Sequence, residues 1–215
     1  MRTPFHAALL TLAMLAPAAP AFACSVVSTY RVPTNLELVE QAETILLGIA
    51  ERHVPAETGS GQGEVVVRPV ELLKGESLPP EVRIYGALAD DPRIVVDTSD
   101  PRDLVRPNGG ALSGACTRWL FRPGMLLLLF LKRDGEGRLR LVTFPFARSA
   151  EDVPSRDALW VRAVRLYAEI AALPESARGP ALVARRESLR TQREDADAAL
   201  LAEDVDRQIR HRGSP

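Results

Sequence analysis

Lysine is almost missing from this 215-residue chain: Lys74 and Lys132 are the only two, and every other cation is an arginine. Cysteine is as scarce, with Cys24 and Cys116 alone. Two thiols leave room for a single bridge. Histidine is confined to His6, His53 and His211, and no spacing joins them into a metal site or supports a Ser-His-Asp triad. Aromatic residues make up 5% of the chain, too few for the basic, aromatic groove of an oligonucleotide reader. An excess of charge of one sign is also lacking. Without Arg2 the 27 basic side chains become 26, against 28 acidic, a net charge of about −2, so nothing points to nucleic acid or an anionic lipid surface. No long apolar run follows the first residues: Met125 to Leu131 (MLLLLFL) is seven residues, the length of a buried strand. A transmembrane segment is therefore not expected.

What is present begins with a leader. Arg2 gives a thin positive start, Ala7 to Leu15 is almost entirely apolar, "PAAP" breaks the run, and Ala21-Phe22-Ala23 fits the small-x-small cleavage pattern. Residues 1–23 thus read as a signal peptide cut after Ala23, and the protein as periplasmic or secreted. Cleavage makes Cys24 the first residue, and three readings compete for a cysteine there: a lipid anchor, a disulfide, or a chemically special N-terminus. A lipobox wants a Leu-like residue three before the cysteine and a small one two before; Ala21 and Phe22 supply neither, which argues against a lipoprotein. In an oxidising compartment Cys24 and Cys116 suggest one bridge, and closing that loop would contribute roughly 4–5 kcal/mol by chain entropy.

Along the mature chain, Thr34-Asn35-Leu36-Glu37 is a capping-box pattern opening a short helix over 33–42. Thr44 to Val54 reads as a strand, and Pro55 to Gly63 (PAETGSGQG) as a loop. "EVVVRPVELL" is a second strand in which Pro69 marks an edge or a bulge. Glu81 to Leu88 alternates as a half-buried strand. Ala89 to Gly114 is long and irregular, and "MLLLLFLKRDGEGRLRLVTFPF" is a hairpin around a glycine turn. Trp160, Val164, Tyr167 and Ala171 then share one helix face, ended by Pro174. Beyond Gly179-Pro180 the sequence predicts a charged helical appendage with one apolar stripe, Leu201, Val205 and Ile209. Antiparallel strands in this number curl into a small barrel or stack as a sandwich.

Motifs that carry chemistry are few. Asp90, Asp91, Asp97, Asp100 and Asp103 crowd the long loop, but the spacing misses the EF-hand and Pro92 and Pro101 interrupt it, so a hydrated acidic loop is expected. "GSGQG" lacks the phosphate-loop lysine, and no strand-turn-helix surrounds Ser113 in "GALSG". Trp119 and Phe121 suit core packing better than a sugar-stacking platform. No catalytic residues, no metal and no cofactor are expected; the chain does not read as an enzyme.

The order of elements carries a resemblance. A cysteine exposed by cleavage, a short helix, "ILLGIAE", "LLKGE", "VRIYG", a second cysteine after a long connection, "RPGMLLLLFL", "LRLVTFPF" and a helix containing Trp160 together resemble the netrin-like module, which includes the tissue inhibitors of metalloproteinases. The resemblance covers about Cys24 to Leu173. It implies a small five-stranded Greek-key OB-fold barrel over residues 24–173, mainly β with flanking helices, and leaves 174–215 as a helical, charged C-terminal extension. It implies that Cys24 bridges to Cys116. It also implies that the Cys24 amine and carbonyl could chelate a protease's catalytic zinc, with Ser25 entering the specificity pocket. The inhibitors begin Cys-x-Cys, whereas Val26 stands at the second position here, and Val27-Ser28-Thr29-Tyr30 replaces their proline-containing ridge. The expectation is therefore an exported, non-enzymatic binding module with Cys24 and Ser25 at its partner-binding edge and an unnamed protein as partner. The alternative is an inhibitor of zinc metalloproteases.

Overall fold

A computed structural model of the chain describes residues 26–56 and 63–212. The helix α1 (Asn35–Gln41) forms as the capping box predicts: Thr34 Oγ1 accepts from Glu37 N, and the Glu37 carboxylate accepts from Thr34 N at 2.7 Å. The strands are β1 (Thr44–Val54), β2 (Glu64–Lys74), β3 (Val82–Tyr85), β4 (Ala87–Leu88), β5 (Leu120–Phe121), β6 (Leu126–Arg133), β7 (Leu139–Leu141) and β8 (Ala150–Asp152). Three helices follow, α2 (Leu159–Ala171), α3 (Glu175–Thr191) and α4 (Ala196–Arg212).

Six of the strands form one antiparallel sheet in the order β3-β2-β1-β6-β7, with β8 pairing β6 beside β7's end. The run MLLLLFL explains the layering. Leu127, Leu129 and Leu131 face inward with Leu46, Val67, Ile84 and Phe121, while Leu128 and Phe130 face outward with Ile45 and Leu47 onto the helices. A strand covered on both faces needs no polar alternation, so the sequence is continuously apolar. Phe130 stacks on Trp160 of α2 at 5.7 Å between ring centroids.

The fold is mixed α/β, an antiparallel sheet with helices. It differs from a closed five-stranded barrel. The sheet curls until β3 and β7 lie within 8 Å between Cα atoms, yet no ladder joins them. The physical reason is the brevity of β7. After Leu141 the chain leaves β6 on an excursion over residues 142–149, bracketed by Val142 N→Phe130 O and Phe130 N→Ser149 O, and returns as β8. The single strand expected over 81–88 is also broken. Gly86 takes φ +147, and a Cβ there would lie 2.3 Å from Trp119 O, so the chain turns out of the sheet to pair β4 with β5. Pro69 sits beside a bulge in β2 itself, at Val70, and beyond the last residue paired to β3, as a strand proline requires.

The C-terminal reading needs a correction. Pro174 does end α2, but α3 begins at Glu175 and runs through Gly179 and Pro180, the point where an appendage was expected to start. Pro180, the sixth residue of α3, removes the amide that would bond Ser176 O, a loss of about 3 kcal/mol that the surrounding packing must offset. From the same turn the Arg178 side chain reaches back to donate to Ala171 O and Leu173 O, capping α2. Leu201 and Val205 are fully buried in the core shared with α2, and Ile209 packs against it. No helix among the described residues is long and apolar enough to cross a membrane.

Candidate functional site

Cys24 and Ser25, the expected partner-binding residues, lie outside the described residues. The chain is described from Val26, and Val27 is 72% exposed. A turn follows, with Tyr30 N donating to Val27 O, and the Tyr30 hydroxyl donates to Pro145 O at 2.7 Å. That bond docks the N-terminal segment on the tip of the 142–149 excursion, and partial burial pushes the phenol pKa up. Phe146, at φ +61, donates its N–H to Cys116 O at 2.7 Å. Cys116 itself takes φ +62 at the end of a π-helical turn, Ala111–Ala115. It is half-buried and not a free thiol. Three pieces of chain, 26–33, 111–117 and 143–147, thus converge around Cys116.

Beside this junction lies a cleft of about 370 Å³ between the start of α1, the 104–107 stretch and α4. Val32, Leu104, Val105, Leu112 and Phe146 give it an apolar rim. Val105 and Leu112 are 57% and 48% exposed. Exposed apolar residues are ordinary when scattered; here they are grouped around one cleft.

A buried polar network holds the long 89–119 segment against the sheet. Glu151, 1% exposed, accepts from Asn108 N at 3.0 Å and lies 2.5 Å from Ser99 Oγ. Asp152 accepts from Ser99 N at 2.9 Å and Arg118 Nη1 at 2.5 Å. Burial alone would raise the Asp152 pKa; the Arg118 charge and these donors outweigh it and leave it lowered. Arg148, also buried, donates to Asp103 O and lays its guanidinium 4.6 Å over the Trp160 ring. The loop aspartates mostly serve local turns: Asp91 accepts from Arg93 N, Asp100 from Arg102 N, and Asp103 from Val105 N and Arg106 N. Phe121 is buried beneath the Arg118 guanidinium, and Trp119 is half-buried.

The C-terminal helix closes the other side of the cleft. Asp204, 1% exposed, accepts from Tyr167 Oη at 2.5 Å, Asn35 Nδ2 at 2.9 Å and Arg207 Nη2 at 2.9 Å. Burial, then the Asp204 carboxylate, pushes the Tyr167 phenol well above its usual value. Gln208 Oε1 accepts from Leu36 N at 3.2 Å, giving one of α1's orphan amides a partner.

In the first turn of α1 the Glu37 carboxyl is lowered to about 2, first by the Arg31 side chain and, against the cost of burial, by Thr34 N. A carboxyl with a depressed folded-state pKa stabilises above its unfolded value, and that contribution disappears as pH falls. Between about pH 4.5 and about pH 2 the protein is expected to lose stability that the variant Glu37→Gln does not lose. Thermal melts of both forms across that window check it, with a modest difference because the pair is half-exposed. Parallel melting curves for the two would contradict it.

Among the described residues no three His, Cys, Asp or Glu side chains could hold a metal ion. Ser113 donates to Gly110 O and faces no base. His211 lies 3.8 Å from Glu37, and His53 ends β1 far along the chain. Ser99, Asn108, Arg118, Arg148 and Glu151 were not singled out from sequence. The one available signal was the charge of Arg148 and Glu151 beside the apolar residues Ala147, Ala150 and Val153. Comparison with known proteins gives no match, to a family model or to a curated sequence.

Proposed function

We propose that this protein is an exported, non-enzymatic binding module of the netrin-like type, in which a Cys24–Cys116 bridge ties the mature N-terminus to a partner-binding edge. The observation that carries the reading is the convergence of the N-terminal segment, Cys116 and the Pro145-Phe146 tip on one side of an apolar-rimmed cleft. A bridge there would hold Cys24 and Ser25 beside the rim. The sheet order supports the OB-fold part of the proposal. β3-β2-β1-β6-β7, with β3 returning close to β7, is the order of a five-stranded Greek-key barrel opened along one seam.

A second reading is inhibition of a zinc metalloprotease by the Cys24 amine and carbonyl, with Ser25 in the specificity pocket. The exposed Val26, Val27, Val105 and Leu112 favour it, because an apolar rim around a chelating N-terminus suits a protease cleft. Zinc accepts N and O ligands at its open catalytic position, and rigid tethering lowers the ordering cost of binding. The test compares native protein with a form carrying one extra Ala before Cys24, against a panel of zinc proteases. Inhibition by the native form alone is expected under the inhibitor reading; equal inhibition by both, or by neither, ends it. Non-reducing peptide mapping separately tests the bridge. Recovery of the linked peptides is expected, and alkylation of both thiols in native protein would overturn the module as drawn.

A further inference from the structure

The seam between β3 and β7 opens into a second cavity, of about 210 Å³, whose lining meets the Cys116 junction at Thr117, Thr143 and Ala147. Its floor is apolar: Ile84, Leu141 and Ala150, side chains that belong to or pack on the inner core. Its charged lining is entirely cationic, from Arg83, Arg118 and Arg140, and no carboxylate lines it. Arg118 is consumed by Asp152 and Arg140 by Glu64. Arg83 is committed only in part: its Nε donates to Glu81 at 2.8 Å and its Nη1 lies 3.9 Å from Glu64, within ion-pair but beyond hydrogen-bond reach, which leaves its terminal nitrogens as open donors among the described residues.

The hydroxyls tell the same story. Ser149 is 6% exposed, lines the cavity, and its Oγ is buried without any partner. A buried hydroxyl without a hydrogen bond costs about 1–3 kcal/mol, so its presence requires a reason. Thr117 and Thr143 line the same space. An unsatisfied buried donor, a guanidinium with open terminal donors and an apolar floor are the few convergent polar groups in an apolar pocket that suit a small-molecule site.

Two occupants compete for a seam of this kind. An extended peptide could insert as an extra strand, but strands flanking an inserted one stand about 9.5 Å apart. β3 and β7 already approach within 8 Å, which leaves no room for a third backbone. The volume is also below the ~300–1,000 Å³ of pockets for drug-sized ligands. We propose that the cavity binds a small monocarboxylate, its carboxylate on Arg83 and the Ser149 hydroxyl and its short apolar tail on Ile84, Leu141 and Ala150. The groups that would bind it, Arg83, Ser149, Ile84, Leu141 and Ala150, lie outside the N-terminal edge, so the site does not depend on the netrin-like reading.

Hexanoate is the probe, with hexan-1-ol as its uncharged counterpart, and calorimetric titration of the full mature protein is the measurement. Saturable one-to-one binding of hexanoate is expected, with hexan-1-ol at least about tenfold weaker, the loss for one charge-assisted contact. Arg83→Gln, at an exposed position, and Ser149→Ala should each weaken hexanoate by about tenfold while leaving the melting temperature without ligand close to the parent value. No saturable hexanoate binding, equal affinity for the alcohol, or unchanged affinity in both variants would each overturn the site. A variant that fails to fold is replaced by Arg83→Lys, which keeps the charge and should restore part of the affinity.

Discussion

Asp204→Ala is expected to destabilise the fold by about 3–5 kcal/mol, the cost of removing one partner from a buried, charge-assisted cluster. Three donors from three elements end on this one carboxylate: Tyr167 from α2, Asn35 from α1 and Arg207 from α4 itself. Without it the Tyr167 hydroxyl and one Asn35 donor are left in an interior that water does not reach. Chemical denaturation of the parent and variant measures the loss. Tyr167→Phe, which keeps the ring and the core contacts and removes a single bond, should cost much less, about 0.5–1.5 kcal/mol. If Asp204→Ala unfolds with the parent's midpoint, α4 is a tail and not part of the core.

The second large effect is expected at Glu151. Glu151→Ala removes the acceptor of Asn108 N and the neighbour of Ser99 Oγ, and leaves buried Arg148 with its carboxylate 3.8 Å away gone. A loss of about 3–5 kcal/mol is again expected by the uncompensated-charge argument. The diagnostic consequence is local. The 89–119 segment should become the first site of limited proteolysis, since Ser99 and Asn108 are two of its anchors to the sheet. Retained protease resistance across 89–119 together with parent stability would show that other contacts hold the segment. Because the segment contains Cys116, the same variant should also loosen the N-terminal edge and weaken any partner bound there.

Local rules made part of this structure readable in the sequence. The Thr34–Glu37 capping box, the β6–β7 hairpin and the α2 stripe each involve residues fewer than a dozen positions apart, so propensity and periodicity suffice. The sheet's failure to close was not readable. It follows from where β7 stops, and nothing in "LRLVTFPF" distinguishes a strand of three residues from one of six. The passage of α3 through Gly179-Pro180 was also hidden. Those two residues signal a break by local preference, and Arg178, reaching back to α2, belongs to a tertiary contact that overrides it. The same holds for the long loop, which is irregular by composition yet anchored by Glu151 and Asp152 from a distant strand. The apolar-rimmed edge was legible only as a cysteine at a cleavage position. Its cleft is assembled from α1, the 104–107 stretch and α4, which no short window of sequence contains.

The bond from Asn35 to Asp204 spans 169 positions of the chain, and it has a consequence for when the molecule can mature. At roughly 5–20 residues per second of synthesis, α1 waits on the order of ten to thirty seconds for the helix that completes its environment. Through that interval Leu36, Leu38 and Val39 lack part of their final cover, and long-range closure of this kind is the slow part of folding. A polypeptide whose first helix is finished by its last stays unfinished while it emerges. Under the export proposed above, that delay would keep the nascent chain open to threading across a membrane before its native form can set.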